Sequence, residues 1–253
     1  MTGQRTASRG VICAALMGVA TLAFASMADA GPVDRLREGL FRNRGAEATT
    51  PPVARYVSEE GRVFILDRSQ STPMLKYDDS PEVWALAPNP APRGDTIYKN
   101  DLGEPVLRVT RLGGFTLFTD ERPSGEAVSL AGGGSPLRLP AMSPQAVLER
   151  MGQASLRASR AARRTLLFEA EATPASSALI ADAAMVTSVA IIRLSQRKDG
   201  RALLGQFNKV RFQEGAKPQA SLKGGVLSIT VAPERGLAGR PSSDRIIKVA
   251  RGK

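Results

Sequence analysis

Histidine is absent from all 253 residues, and the one cysteine, Cys13, lies near the start of the chain. Without imidazole there can be no Ser-His, Cys-His or Thr-His nucleophile pair, and no His-containing zinc or non-haem iron site. Beyond Cys13 no disulfide can staple the fold, so packing alone must stabilise it. Other absences narrow the chemistry further. No Gly-x-x-x-x-Gly-Lys-Ser/Thr or Gly-x-Gly-x-x-Gly phosphate loop occurs, nor a Gly-x-Ser-x-Gly nucleophile elbow, nor an Asp-x-Asp-x-Asp-Gly calcium loop. The expectation is no cofactor, no metal and no catalytic residue.

What is present begins with an export signal. Arg5 and Arg9 precede an uncharged, mostly apolar run from Val11 to Ala25, and Ala28-Asp29-Ala30 offers small residues for cleavage before Gly31-Pro32. Residues 1–30 therefore read as a cleavable signal peptide. The apolar run is shorter than the roughly 20 residues of a membrane span, so no transmembrane span is expected after cleavage. Cys13 sits in Val11-Ile12-Cys13, without the small residue that precedes a lipoprotein cysteine. The expected location is periplasmic or secreted.

Charge is the second positive signal. Lys and Arg number 35 against 24 Asp and Glu, and removing Arg5, Arg9 and Asp29 with the leader leaves 33 against 23. An excess of this size suits a polyanionic partner. Export argues against nucleic acid and leaves lipopolysaccharide, anionic lipid, acidic glycan or an envelope protein as expected partners. Surface charge that only solubilises the chain would look the same.

Residues 31–53 read as a flexible basic arm. Val33, Leu36, Leu40 and Phe41 share a helical face flanked by Arg35, Arg37, Arg42 and Arg44, and Thr49-Thr50-Pro51-Pro52 follows as a linker. Residues 54–131 read as an antiparallel β-meander. Apolar runs at Arg62–Leu66, Met74–Tyr77, Val83–Leu86 and Asp95–Lys99 alternate with turn strings. Leu107–Leu112, Gly113-Gly114 and Phe115–Thr119 then spell a hairpin. Gly132-Gly133-Gly134-Ser135-Pro136 marks a Gly/Pro junction over residues 132–142.

From residue 143 to 253 the pattern is mixed helix and strand. Ser143 and Pro144 provide an N-cap and a first helical residue. Val147, Leu148, Met151, Ala154, Ala158, Ala161, Ala162 and Leu166 follow at helical spacing. Arg150, Arg157, Arg160 and Arg164 form a parallel stripe, the candidate anion-binding residues, although a solvated helix face gives the same pattern. Residues 178–194 read as a buried helix, and residues 210–212, 220–222 and 226–231 as strands. Ser242 or Ser243 is placed to cap a last short helix. The expected fold is thus α+β, an N-terminal antiparallel β-meander followed by a mixed helix/strand half. The two halves can share one core.

Several strings together resemble an uncharacterised family: Leu66-Asp67-Arg68-Ser69, Pro92-Arg93-Gly94-Asp95, Leu107-Arg108-Val109-Thr110 with Gly113-Gly114-Phe115-Thr116, and Gly239-Arg240-Pro241-Ser242-Ser243. The family is one of exported alphaproteobacterial proteins with a domain of unknown function. The resemblance implies an envelope setting, no assigned activity and no functional residue to carry over.

Carboxylates are the remaining catalytic candidates. Asp67, Asp78, Asp79, Glu82, Asp95 and Asp101 crowd one stretch near Trp84 and Tyr98. Paired carboxylates beside aromatic rings suit a glycoside hydrolase, and oxygen ligands suit calcium. Most of these acids, however, lie in turn-like strings where Asp bonds its own backbone. The leading expectation is a non-catalytic cell-envelope module that binds an anionic surface or a protein partner. A carboxylate-based hydrolase acting on envelope glycans is the alternative.

Overall fold

The computed structural model describes residues 51–252. The expected leader over residues 1–30, and residues 31–50 of the expected arm, lie outside the described residues. The fold is α+β.

The first half is one antiparallel sheet of nine strand segments: β1 Val53–Ser58, β2 Val63–Asp67, β3 Met74–Tyr77, β4 Val83–Ala85, β5 Ala87–Ala91, β6 Asp95–Lys99, β7 Pro105–Val109, β8 Phe115–Leu117 and β9 Glu126–Gly133. Their order is β4-β3-β2-β1-β9-β8-β7-β6-β5. The two ends of that order, β4 and β5, are consecutive stretches of one strand separated only by Leu86. β4 pairs with β3 and β5 with β6, so the strand over residues 83–91 closes the sheet into a barrel. Alternation fills its interior. Tyr56, Phe64, Leu66, Leu75, Leu86, Leu107 and Leu117 are all buried there in one cluster.

Three strands of the ring, β1, β5 and β9, do not stand out in the sequence, and composition explains the last two. β5 reads Ala-Pro-Asn-Pro-Ala, and prolines argue against a strand because they donate no ladder bond. Pro88 and Pro90 are two apart, so both missing amides fall on one side. The other side pairs with β6, Asn89 opposite Ile97. β9 runs into the glycines expected as a junction. Gly132 pairs with Arg55 and Gly133 with Ala54, next to a bulge at Arg55/Tyr56. A Cβ on Gly134 would lie 3.2 Å from the Ala54 backbone. Gly134 thus permits a close approach to β1, while Gly132 takes a positive φ of 148° that side chains disfavour.

The second half comprises α1 Pro144–Ala162, β10 Leu167–Ala170, α2 Ser177–Ser195, α3 Gly200–Gly205, β11 Lys209–Glu214, β12 Gln219–Lys223, β13 Val226–Val231 and α4 Ser243–Ala250. The sheet order is β10-β11-β13-β12, with β10, β11 and β13 parallel and β12 antiparallel to β13. Ser143 caps α1, accepting from the Ala146 amide at 3.2 Å. Val147, Ala154 and Ala158 form its buried line. Leu148, expected on that line, is 67 % exposed, since neighbours on a helix are about 100° apart and Val147 holds the inward position. Leu166 is buried but lies past the helix end, where its amide bonds Ser159 Oγ at 3.0 Å. α2 is long and apolar enough to cross a bilayer. In this fold it is the central core helix, packing Leu179, Ile180, Ile191 and Leu194 against Val210, Phe212 and Ile229.

Candidate functional site

The segment between β13 and α4 ties the two halves together. Gly239 is obligatory, because a Cβ there would collide with the Ala232 carbonyl oxygen. Arg240 is fully enclosed. Its guanidinium pairs with Asp182 of α2, donates to the Val83 carbonyl at 2.8 Å and faces Glu82 at 3.7 Å. Burial works against its charge, but Asp182 and Glu82 hold it protonated. Glu82 also receives the Ser243 amide at 2.9 Å and the Ser243 hydroxyl. Asp101, in the β6–β7 turn, receives the Ser242 amide at 3.1 Å, the Ser242 hydroxyl at 2.6 Å and the Arg245 guanidinium at 3.0 Å. The buried amides at the start of α4, which have no partner within the helix, are therefore met by barrel carboxylates, which the helix dipole also favours. Ser242 is the cap, accepting from the Arg245 amide at 3.1 Å.

Beside this tie lies a cavity of about 470 Å³, between one end of the barrel and Val189 and Arg193 of α2. Tyr77, Trp84 and Phe118 line it together with Asp79, Glu82, Glu104, Asp120, Glu121 and Asp244. Burial pushes the Tyr77 phenol up to about 12. It also raises the Glu82 carboxyl, against the pull of Arg240 and Ser243. Burial raises Asp244 as well, against Arg193, which pairs with it at 2.7 Å.

The acidic stretch of the sequence is thus divided. Asp79 and Glu82 line the cavity and Asp101 anchors α4. Asp95 pairs with Arg108, whose hydrogen bond holds it below the usual range, and accepts from the Arg111 amide at 3.2 Å. Asp78 pairs with Arg55 at 3.0 Å. Asp67 is buried, where Ser69, the Leu137 amide and Arg138 outweigh desolvation and lower it. Among the described residues no group of three or more Asp, Glu or Cys side chains converges as a metal site.

The arginine stripe stands on another face. Arg150, Arg157 and Arg160 are exposed along α1. Arg164 departs from them. α1 stops at Ala162, Arg163 takes a left-handed conformation, and Arg164 turns inward to donate to the carbonyls of Leu204 and Phe207. The structure adds Arg163, Arg197, Lys198 and Arg201, which gather around one cavity near the end of α1. Sequence spacing could not group them, because α1 and the α2–α3 turn meet only in the fold. Charge follows the same division. Residues 53–133 hold 9 Lys and Arg against 12 Asp and Glu, while residues 143–252 hold 18 against 8.

A family model described as Domain of unknown function (DUF4908) matches residues 35–250. The chain belongs to the DUF4908 family. No curated protein and no solved structure matches it. The DUF4908 match runs through the barrel, the Arg240 tie and the basic half alike, from before β1 to the end of α4.

Proposed function

We propose that the protein is a non-catalytic cell-envelope module whose basic half binds an anionic surface. The carrying observation is the separation of charge, with 18 Lys and Arg against 8 Asp and Glu in residues 143–252. Within that half, Arg150, Arg157 and Arg160 project from α1, and no ion pair to them occurs among the described residues. Cations spread along a rigid helix can meet many phosphates or carboxylates at once, and such binding weakens steeply with salt. The leader-like residues 1–30 support the envelope setting and suggest lipopolysaccharide, anionic lipid or acidic glycan as the surface. The test is co-sedimentation with anionic vesicles and outer-membrane vesicles over a salt series. Binding should fade with salt and fall in the triple variant R150Q/R157Q/R160Q. Equal binding by that variant removes α1 from the account.

The alternative of a glycan hydrolase is favoured by one observation, the aromatic and acidic cavity containing Asp79 and Asp244. Turnover of purified peptidoglycan that is lost in both D79N and D244N would establish it. Absence of turnover in the native chain would dismiss it.

A further inference from the structure

Where α1 ends against the α2–α3 turn there is a cavity of about 420 Å³, lined by Arg163, Arg197, Lys198 and Arg201 and by no carboxylate. Two observations distinguish it from a solvated charged surface. The first is backbone conformation. Arg163 has φ 54° and ψ 34°, the left-handed position after a helix that glycine fills without penalty. A guanidinium is retained where the backbone disfavours any side chain, and such strain is characteristic of functional positions.

The second is charge. α1 and α2 both end beside the cavity, and each helix C-terminus carries about half a negative charge. Asp199 adds one more, bonded to Arg197 at 2.9 Å. Together these balance about two of the four cations, leaving about two positive charges unmatched. Three of the four are arginines, whose planar forks take two oxygens of a tetrahedral anion at once.

We propose that this cavity binds a phosphate monoester or free phosphate, a dianion held by Arg163, Arg197, Lys198 and Arg201. The inference rests on the reading of the basic half as an anion-binding surface and names the group that surface selects. The same chemistry occurs in inorganic phosphate and in a lipid headgroup with a terminal phosphate.

The full chain is titrated with inorganic phosphate at low salt by calorimetry. It is also sedimented with vesicles of phosphatidic acid or of phosphatidylglycerol, whose phosphate is a diester. Saturable phosphate binding is expected, weakened about tenfold in R163G and in R201Q by loss of one charge-assisted contact. R163G relieves the backbone and should fold as well as the native chain, so its loss of binding cannot be attributed to unfolding. Preference for phosphatidic acid identifies the headgroup as the source, and phosphate binding without that preference identifies a soluble phosphate. Absence of phosphate binding in the native chain, or unchanged binding in both variants, overturns the site. Vesicle binding without phosphate binding leaves only the broader surface reading, and phosphate binding without vesicle binding leaves only the site.

Discussion

In the barrel, arginines are matched to carboxylates: Arg55 to Asp78, Arg62 to Glu121, Arg108 to Asp95 and Arg122 to Glu60. In the α/β half the exposed cations of α1 have no such neighbours among the described residues, and that half holds 18 Lys and Arg against 8 Asp and Glu. The barrel pairs several of its arginines internally and gives Glu82 and Asp101 to Arg240 and Arg245 of the α/β half, whose α1 presents its arginines outward. The two also differ in how they bury apolar surface. The barrel pairs its strands with neighbours in sequence except where β1 meets β9, and the α/β half covers its sheet with helices brought from a distance. Their meeting depends on a few buried polar groups and on a small apolar cluster of Met74, Val83, Leu137 and Leu237.

The largest test of that division is R240A. It leaves Glu82 and Asp182 without their shared cation, and breaking a buried ion pair costs about 3–5 kcal/mol. Chemical denaturation should show the loss, and two transitions in place of one would show that the halves had separated.

Within the barrel, D67N should cost about 2 kcal/mol through its hydrogen bonds from the Leu137 amide and Arg138. The Asp67 carboxyl is held below its ordinary 3.8, so its stabilisation is complete above that value and is lost as pH falls through the lower folded value. Denaturation curves of D67N and the native chain should therefore converge only in strong acid. Raised groups behave in the opposite sense. The contributions of Glu82 and Asp244 are complete below their ordinary values and decline as pH rises through the folded ones.

A smaller effect is expected from S242A, which removes the cap of α4 and should cost about 1 kcal/mol. The smallest change is a gain. R163G should raise thermal stability by up to about 1 kcal/mol by freeing the left-handed position. A stabilised variant that binds anions less well would show that the α/β half gives up stability to present charge.

Much of this architecture was legible. β2, β3, β4 and the β7–β8 hairpin follow from short apolar runs bounded by turn residues, and α1 from Ser143-Pro144. What was hidden had physical causes. Pro88 and Pro90 disguised β5, and Gly132 and Gly133 disguised the end of β9. Nothing in the sequence marks the end of α1, because Arg163 occupies the place of the usual glycine, so helical spacing carries the stripe on to Arg164. The junction was illegible for a different reason. Ser243 meets Glu82 across 161 residues and Ser242 meets Asp101 across 141, and no local pattern reports a pairing at that distance. The string Gly239–Ser243 nevertheless stood out in the sequence, and the structure supplies its purpose.

That arrangement also sets an order of assembly. The ring over residues 53–133 has all its strands once Gly133 is available, before any element of the α/β half has been made. The residues that fasten it to the α/β half, Leu237, Arg240, Ser242, Ser243 and Arg245, follow the last strand of the second sheet. On the ribosome the barrel can therefore form early and wait, and the two halves can be fastened only after the strands of the α/β sheet have been made. A chain cut before Arg240 would keep its ring and lose the contacts of Arg240, Ser242 and Ser243 that fasten the ring to the α/β half.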